Sequence, residues 1–322
     1  MNLYRWYYRV YWKFPHMQEM YANIPQYMIW DDHEIMDGWG SRTVGERLDI
    51  LSRYFRADDP VTDQQIIDSM WNAARTAYFE YAHSHNPPTN IDKTMLKTPG
   101  QCIWDYGFVK GTTPFYVLDL RGHHDVDQPR NKLLGDAQIE RFVEWLDSDA
   151  VKKSRIVFVV SSVPFVHWKS FVMTAGSLID SLRDDLMDEW DHKSNHEERN
   201  FLLEKIFAAL DAEGRTLVFL SGDVHCAAAF KLQHQNYRKA NVFQITSSAI
   251  SRMPAGMAVY AGIAKSGTLS GHEKVQFEHL FSHSEDKNFA IFHVNNSASV
   301  TVDLCWPGGT EGEAVIKTIQ LK

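Results

Sequence analysis

The chain has 322 residues, which is enough for one large domain or two modest ones. Hydrophobic residues make up 44% and charged residues 23%, values that exclude disordered, collagen-like and coiled-coil proteins. The 33 Lys and Arg against 41 Asp and Glu give a formal charge of -8, and no run of basic residues offsets it. The composition therefore disfavours general nucleic-acid binding.

The cysteine content and the N-terminal segment both bear on the compartment. The three cysteines lie far apart and are odd in number, which favours a reducing compartment over a disulfide framework. Residues 1–14 carry basic side chains throughout and lack the apolar stretch of a secretory signal. No window approaches the roughly 18 apolar residues of a membrane span. We therefore expect a cytoplasmic protein without a membrane contact.

The first predicted elements are a short strand and a long helix. Residues 27–30 form an apolar run that ends in acid, which predicts a buried strand. Apolar side chains recur at three- and four-residue steps over 62–83, which predicts a helix that begins with a capping box at Thr62. The prolines within 86–90 end this helix. A strand-like run follows at 114–120.

The rest of the chain alternates strands with helices and then becomes rich in strands. A helix is predicted from Asp136, as its N-cap, and another over 197–211, with strands at 155–163 and 216–222. The later strands follow one another without helices between them, at 243–248, 289–294 and 299–306. This order predicts one compact α/β domain over 1–322, with two sheets between helical layers.

The first candidate site is the segment IWDDHEIMDGWGS at 29–41. It places Asp32 and His33 just after the predicted strand, and Asp37 follows. Carboxylates and imidazole together suit a divalent or trivalent metal ion, and α/β folds build their sites at strand ends. The same acidic residues would also stabilise the N-terminus of a helix. Taken alone, the segment is compatible with both interpretations.

The second candidate site is the segment FLSGDVHCAA at 219–228. Gly222 permits a tight turn after the strand, and Asp223 and His225 follow it, although Gly-Asp is also a common turn pair. If the two strands were parallel neighbours, both candidate sites would lie at one edge of the sheet. They could then form a bridged two-metal centre, with metals about 3.5–4 Å apart, as in phosphatases and nucleases.

The conjunction of WDDHE with GDVH resembles the PhoD-like alkaline phosphatases of the metallophosphoesterase superfamily. The resemblance covers nearly the whole chain and implies a four-layer α/β/β/α sandwich. It also implies hydrolysis of phosphate monoesters or diesters by a metal-bound hydroxide. Supporting segments stand in the expected order, at 24–35, 117–125, 134–146, 159–164 and 246–250.

The resemblance also implies the metal ligands and the partner. Asp223 and His225 match the late ligand pair of the family, and the ligand on the earlier segment is either Asp32 or Asp37. Two metal ions are implied, and iron, calcium, manganese and zinc all remain possible identities. The partner is a small phosphorylated substrate.

Two catalytic residues are implied in addition to the ligands. His33 either orients a ligand or protonates the leaving group. Arg121, in the segment LDLRGHH, matches a recurrent arginine whose planar fork suits bidentate contact with phosphate oxygens. A structural salt bridge is the alternative role of Arg121. His167 and Cys226 are interpreted as structural rather than as a ligand and a nucleophile.

The chain departs from the family at its N-terminus. The family has an earlier Gly-Asp-x-x-Tyr motif whose Asp bridges the metals, and no such motif stands upstream of residue 30. We therefore expect a family member that lacks its N-terminal portion, which could have carried a signal. Three explanations stay open: a truncated gene, a partner chain that supplies the motif, or a catalytically impaired module. Truncation is favoured, and a nuclease is a weaker rival because of the negative charge.

Overall fold

The protein is described by a computed structural model that covers residues 2–52, 60–124, 127, 132–176, 183, 186–254, 261–295, 299–309 and 312–322. The chain divides into two compact units. The first consists of Met1–Tyr106 and Leu118–Leu134, and the second of Gly107–Val117 and Gly135–Lys322.

The helices are α1 (Asn2–Trp12), α2 (Pro15–Asn23), α3 (Val44–Leu51), α4 (Pro60–Tyr81), α5 (Asp136–Leu146), α6 (Asp149–Lys153), α7 (Ser170–Gly176) and α8 (His196–Asp211). The strands are β1 (Tyr106–Lys110), β2 (Thr113–Val117), β3 (Ile156–Ser161), β4 (Thr216–Ser221), β5 (Ala227–His234), β6 (Asn241–Ser247), β7 (Gly267–Leu269), β8 (His272–His283), β9 (Phe289–Val294), β10 (Val300–Pro307) and β11 (Ala314–Leu321).

The core of the first unit is built on aromatic rings around the fully buried Trp30. The centroid of its ring lies 4.5 Å from those of both Tyr78 and Trp104. Tyr78 belongs to α4, so the helix predicted over 62–83 is confirmed. It begins at Pro60, however, rather than after an N-cap at Thr62. Buried ring area at this density is a large share of the apolar surface that stabilises the unit.

The prediction of a strand at 27–30 is wrong, because these residues are irregular and belong to no strand. The side chain of Asn86 takes the place of a strand partner. Its amide oxygen accepts the Met28 N–H at 2.8 Å, and its amide nitrogen donates to the Met28 carbonyl at 2.7 Å. The Tyr106 hydroxyl donates to the same carbonyl at 3.0 Å. Side chains therefore satisfy the backbone N–H and carbonyl of Met28, which would otherwise need a neighbouring strand.

The second unit contains an eight-stranded sheet in the order β1-β2-β3-β4-β6-β5-β8-β7. Strands β2, β3, β4 and β6 are parallel neighbours, whereas β5, β8 and β7 pair antiparallel. The predictions at 114–120, 155–163, 216–222 and 243–248 are thereby confirmed as strands of one sheet. Their parallel pairing brings the carboxyl ends of β3 and β4 to the same edge.

The small sheet, in the order β11-β10-β9, packs on one face of the large sheet. Phe158 and Val218 of the large sheet share a buried cluster with Val302 and Leu304 of the small one. Alternate residues such as Phe219 are equally buried and face the other way. On that side, α6 packs on β2, α8 packs on β6, and α5 packs on α8. The second unit is therefore layered as helices, sheet and sheet.

α5 begins one residue earlier than predicted, since Gly135 is its N-cap and Asp136, the predicted N-cap, is its first residue. Gly135 has a φ of 78°, a conformation that favours glycine over the predicted aspartate cap.

Cys102, Cys226 and Cys305 are free and buried, which confirms the expectation that they form no disulfide framework. Among the helices that the structure describes, none combines the length and the apolar character needed to cross a membrane.

Candidate metal-binding residues

The first candidate segment forms a short 3-10 helix over Asp32–Glu34. Asp31 is its N-cap, and the backbone N–H of Asp31 donates to the Glu34 carboxylate at 2.7 Å in a capping box. The predicted role of these acids at a helix N-terminus is therefore real, and its capping hydrogen bonds are made by Asp31 and Glu34. Asp32 and His33 are left for other chemistry.

The Asp32 carboxylate is buried and its orientation is fixed. One of its oxygens accepts the N–H of Gly38 at 2.7 Å, and its backbone carbonyl accepts the N–H groups of Ile35 and Met36. Gly38 has a φ of 69°, which turns the chain back towards the carboxylate. The loop thus holds Asp32 in place, and Nη2 of Arg121 lies 3.9 Å from its other carboxylate oxygen.

His33 and Asp37 lie on the exposed side of the same loop. Nε2 of His33 is 3.6 Å from a carboxylate oxygen of Asp37, and both side chains are more than half exposed. Asp37 also pairs with Arg42 at 2.9 Å. One ligand atom each from Asp32, His33 and Asp37 lie within 4.8 Å of one another. Three of the predicted site residues are therefore brought together. Either carboxylate is placed to bind a metal ion beside the imidazole.

Arg121 is buried in an ion pair in the same unit. Its Nε donates to the Asp31 carboxylate at 2.5 Å, and Nη2 lies 3.9 Å from Asp32. The alternative that Arg121 forms a structural salt bridge is thus realised. Bidentate contact with phosphate by this guanidinium stays a prediction.

Asp119, which the sequence analysis did not single out, orients Arg121. Its Oδ1 accepts the indole N–H of Trp30 at 2.7 Å and the backbone N–H groups of Arg121 and Gly122 at 3.0 and 2.8 Å. Burial raises the pKa of Asp119, and these hydrogen bonds and His123 counteract part of that rise. In the sequence Asp119 follows an apolar run and carries no pattern that marks a buried anchor.

Glu34 is a second residue that the sequence analysis left unassigned. Burial raises its pKa to about 7, and the nearby charges of Asp31 and Asp32 add to the rise, while the hydrogen bond from the Asp31 N–H opposes it. A proton on Glu34 near neutral pH reduces the repulsion among three neighbouring carboxyl groups.

The second candidate segment follows β4 in the second unit. The backbone at Asp223 and His225 has φ values of 66° and 51°, whereas Gly222 is not in this left-handed region. The left-handed residues of this turn are therefore Asp223 and His225 rather than Gly222. The left-handed conformation costs a non-glycine residue roughly 1–2 kcal/mol, and such strain is concentrated at functional sites. The Gly222 N–H donates to the Ser162 carbonyl at 3.0 Å, which anchors the turn on the loop after β3.

His167 and Cys226 form a buried pair behind this turn. Nε2 of His167 lies 3.8 Å from the Cys226 sulfur. Burial lowers the pKa of His167 to about 3 and raises the pKa of Cys226 to about 12. The thiol therefore stays protonated and is no nucleophile, in keeping with the structural interpretation of both residues.

Comparisons with known proteins bear on family and fold. The profile of the PhoD-like phosphatase family matches residues 1–303. The chain is similar to the structure of PhoD, with a TM-score of 0.61 and 17% identity over 95% of this chain. It is also similar to purple acid phosphatase PPD1 from yellow lupin (Lupinus luteus) seeds, with a TM-score of 0.37 and 11% identity over 67% of this chain and 32% of that one. None of the curated proteins matches.

The likeness to PhoD confirms the predicted α/β fold of the metallophosphoesterase type. The chain spans only 55% of the length of that structure.

Replacing Gly122 by alanine should lower the free energy of unfolding by about 1–3 kcal/mol. The added Cβ would collide with the Asp119 carboxylate and lie 2.6 Å from Cδ1 of Trp104. Equilibrium unfolding in urea measures the change. Gly100→Ala is the matched control, because its Cβ would meet nothing within 4 Å. Equal effects of the two substitutions would show that Asp119 is not a rigid anchor.

Replacing His167 by glutamine should make the free energy of unfolding fall less steeply as the pH is lowered. The folded pKa of His167, about 3, lies below the ordinary 6.5. The contribution of its neutral ring is therefore complete above pH 6.5 and is lost as the pH falls towards 3, by up to about 1.4 kcal/mol per pH unit. Unfolding free energies between pH 4.5 and 7.5 measure this slope.

The exposed His85 provides the control for that experiment, because His85→Gln should leave the slope unchanged. An identical pH slope in His167→Gln and the wild type would rule out a buried neutral imidazole at this position.

Proposed function

The chain belongs to the PhoD-like phosphatase family, and from this premise we propose that it hydrolyses phosphate monoesters or diesters with the help of bound metal ions. The match over residues 1–303 carries the proposal, because it includes both acid–imidazole segments. The proposed substrate is a small phosphorylated molecule.

The donor chemistry of the described residues fits metal ions of this kind. Asp32, His33 and Asp37 offer two carboxylates and an imidazole in the first unit, and Asp223 and His225 offer the same chemistry in the second. Oxygen and imidazole ligands suit several divalent and trivalent ions. We propose Asp223, His225 and either Asp32 or Asp37 as ligands. Such ions, when bound, supply positive charge to the phosphoryl oxygens and acidify water.

Arg121 fits the role of a positioning residue. Its guanidinium is only 2% exposed, and its Nε is committed to Asp31 at 2.5 Å. This ion pair fixes the acidic loop and offsets part of its charge. Asp119 in turn holds the backbone at Arg121. Direct contact of the guanidinium with phosphate would require one of its remaining N–H groups.

His33 fits the role of the group that protonates the leaving oxygen. Its ring is more than half exposed and therefore accessible to a substrate, and Asp37 lies 3.6 Å from Nε2 and can orient it. Orientation of a ligand is the other proposed role, and the two predict different dependences on the leaving group.

A cavity of about 400 Å³ in the first unit supports a small organic substrate. Trp39 and Trp71 supply flat apolar walls, and Arg47, His123 and His124 supply polar groups. His123 follows Arg121 closely in the chain, and Trp39 follows Asp37. Aromatic walls with a few polar groups are typical of ligand-binding cavities.

Asp223→Asn and His225→Gln should each lower kcat/KM for p-nitrophenyl phosphate by more than about 100-fold and reduce the metal content. Each change removes a proposed ligand but keeps the shape of the side chain. The protein is loaded with manganese, iron, zinc or calcium, and metal content and hydrolysis of an aryl monoester and diester are measured. A comparison of Asp32→Asn with Asp37→Asn identifies the ligand of the first unit.

Asp147→Asn is the matched control, because Asp147 is 74% exposed and should leave activity and metal content unchanged. Undiminished hydrolysis in both the Asp223 and His225 variants would refute the ligand assignment. A wild-type chain that neither binds metal nor hydrolyses either ester would instead be the non-catalytic module.

His33→Gln should lower kcat for an alkyl phosphate by roughly 100-fold or more, and kcat for p-nitrophenyl phosphate much less. The alkoxide is a poor leaving group and needs a proton, whereas p-nitrophenolate does not. Steady-state kinetics on both substrates measure the difference, with the exposed His85→Gln as control. Equal losses on the two substrates would contradict the acid role and favour orientation of a ligand.

A further inference from the structure

Three metal-ligating side chains outside the proposed catalytic residues meet in the second unit. Glu204 lies on α8, His234 is the last residue of β5, and His272 is the first residue of β8. Nε2 of His234 is 3.0 Å and Nε2 of His272 is 3.5 Å from the same Glu204 oxygen. One ligand atom of each lies within 4.8 Å of the other two.

This cluster is remote from the turn that carries His225. β5 begins at Ala227, two residues after His225, and runs to His234. At about 3.3 Å per residue, the strand separates its two ends by about 23 Å. A ligand held by the cluster is therefore distinct from the metal ions proposed for catalysis.

Packing fixes the two imidazoles before any ligand arrives. The His234 side chain is fully buried, and its ring lies 5.3 Å from Phe207 and 4.7 Å from Tyr237. The rings of His234 and His272 stand at 89° to each other. The two imidazoles are inclined differently, and both Nε2 atoms face one carboxylate oxygen. Their metal-ligating nitrogens therefore surround a common point.

His272 supplies the second observation that points to a ligand. Its side chain is only 8% exposed, yet among the described residues its Nε2 has no hydrogen-bond partner. Burial lowers the pKa of His272. A buried polar atom of this kind is rarely left without a partner in a native protein.

We propose that Glu204, His234 and His272 bind one Zn²⁺ ion that connects α8 to strands β5 and β8. Two imidazole nitrogens and one carboxylate oxygen are ligands that Zn²⁺ accepts in tetrahedral sites. Glu204 is 36% exposed, so water can reach the fourth position. The site would act on stability rather than on the reaction.

Binding requires a change of tautomer at His234. The N–H of Asn236 donates to Nδ1 of His234 at 3.1 Å, so without zinc the ring proton resides on Nε2 and faces Glu204. When Nε2 binds zinc, the proton moves to Nδ1 and the contact with Asn236 is lost. Two hydrogen bonds, from the Asn236 N–H to Nδ1 and from Nε2 to the Glu204 carboxylate, are exchanged for three coordinate bonds, which favours the metal.

Positive and negative side chains near His272 have opposite effects on the binding of a cation. Arg199 and Lys274 add positive charge near His272, and the Glu204 carboxylate adds a negative one. Arg199 is itself paired with Asp191 at 3.1 Å, which reduces its repulsion of a cation at the site.

The test uses the full chain with Asp32→Asn, Asp37→Asn, Asp223→Ala and His225→Ala, which removes all the proposed catalytic ligands, after treatment with a chelator. Calorimetric titration with Zn²⁺ should show one site, and Zn²⁺ should raise the melting temperature. Adding Glu204→Gln or His272→Gln should weaken zinc binding by about 100-fold or more and abolish the thermal shift. Glu204→Gln changes only a partly exposed side chain, so the variant keeps its fold.

His279→Gln is the matched control, since His279 also lies on β8 but bonds to Ser282 and not to the cluster. Unchanged zinc affinity in both Glu204→Gln and His272→Gln would overturn the proposal. A separate measurement distinguishes failure of the zinc proposal from failure of the proposed function. Glu204→Gln in the otherwise unaltered chain should still hydrolyse p-nitrophenyl phosphate, whether or not the zinc site exists.

Discussion

The buried Asp119 carboxylate is the interaction on which the first unit's candidate site depends. It accepts the indole N–H of Trp30, the ring at the centre of the aromatic core, and the backbone N–H groups at Arg121 and Gly122. The same group therefore ties the core to the turn that presents Arg121, and Arg121 ties that turn to Asp31. The position of the acidic loop follows from apolar packing several residues away, which makes its geometry rigid.

Carboxylate crowding is the electrostatic constraint that this arrangement has to satisfy. Asp31, Asp32 and Glu34 lie within four consecutive positions, and the charge of each carboxyl group is accommodated in a different way. Asp31 pairs with the buried Arg121, Asp32 accepts the Gly38 N–H, and Glu34 has a raised pKa. A loop with this many acids and one buried cation is well suited to a further positive charge, which supports the proposed metal.

The pattern of apolar residues was sufficient to predict helices and strands that are buried on one face or on both. It was insufficient where side chains, rather than a neighbouring strand, satisfy the backbone hydrogen bonds. The helix over 62–83 follows from apolar spacing, and the parallel strands at 155–163 and 216–222 follow from continuous apolar runs. Residues 27–30 have the composition of a strand, but their backbone is satisfied by Asn86, a partner that no local pattern reveals. Asp119 and Glu34 were missed for the same reason, because their roles depend on contacts distant in sequence or on burial. Glu204, His234 and His272 are separated by 30 residues or more, so only the fold brings them together.

The backbone at Asp223 and His225 supplies an argument for function that does not depend on family likeness. Both residues adopt the left-handed conformation, which glycine would adopt without the steric cost of a Cβ. Glycine would thus relieve the strain but would delete a carboxylate and an imidazole from the turn after β4. Two strained side chains within three residues, beside Gly222 outside the left-handed region, support the proposal that these side chains are ligands. The strain of roughly 1–2 kcal/mol at each position is small compared with the coordination energy of a metal ion, so ligation is a sufficient reason for it.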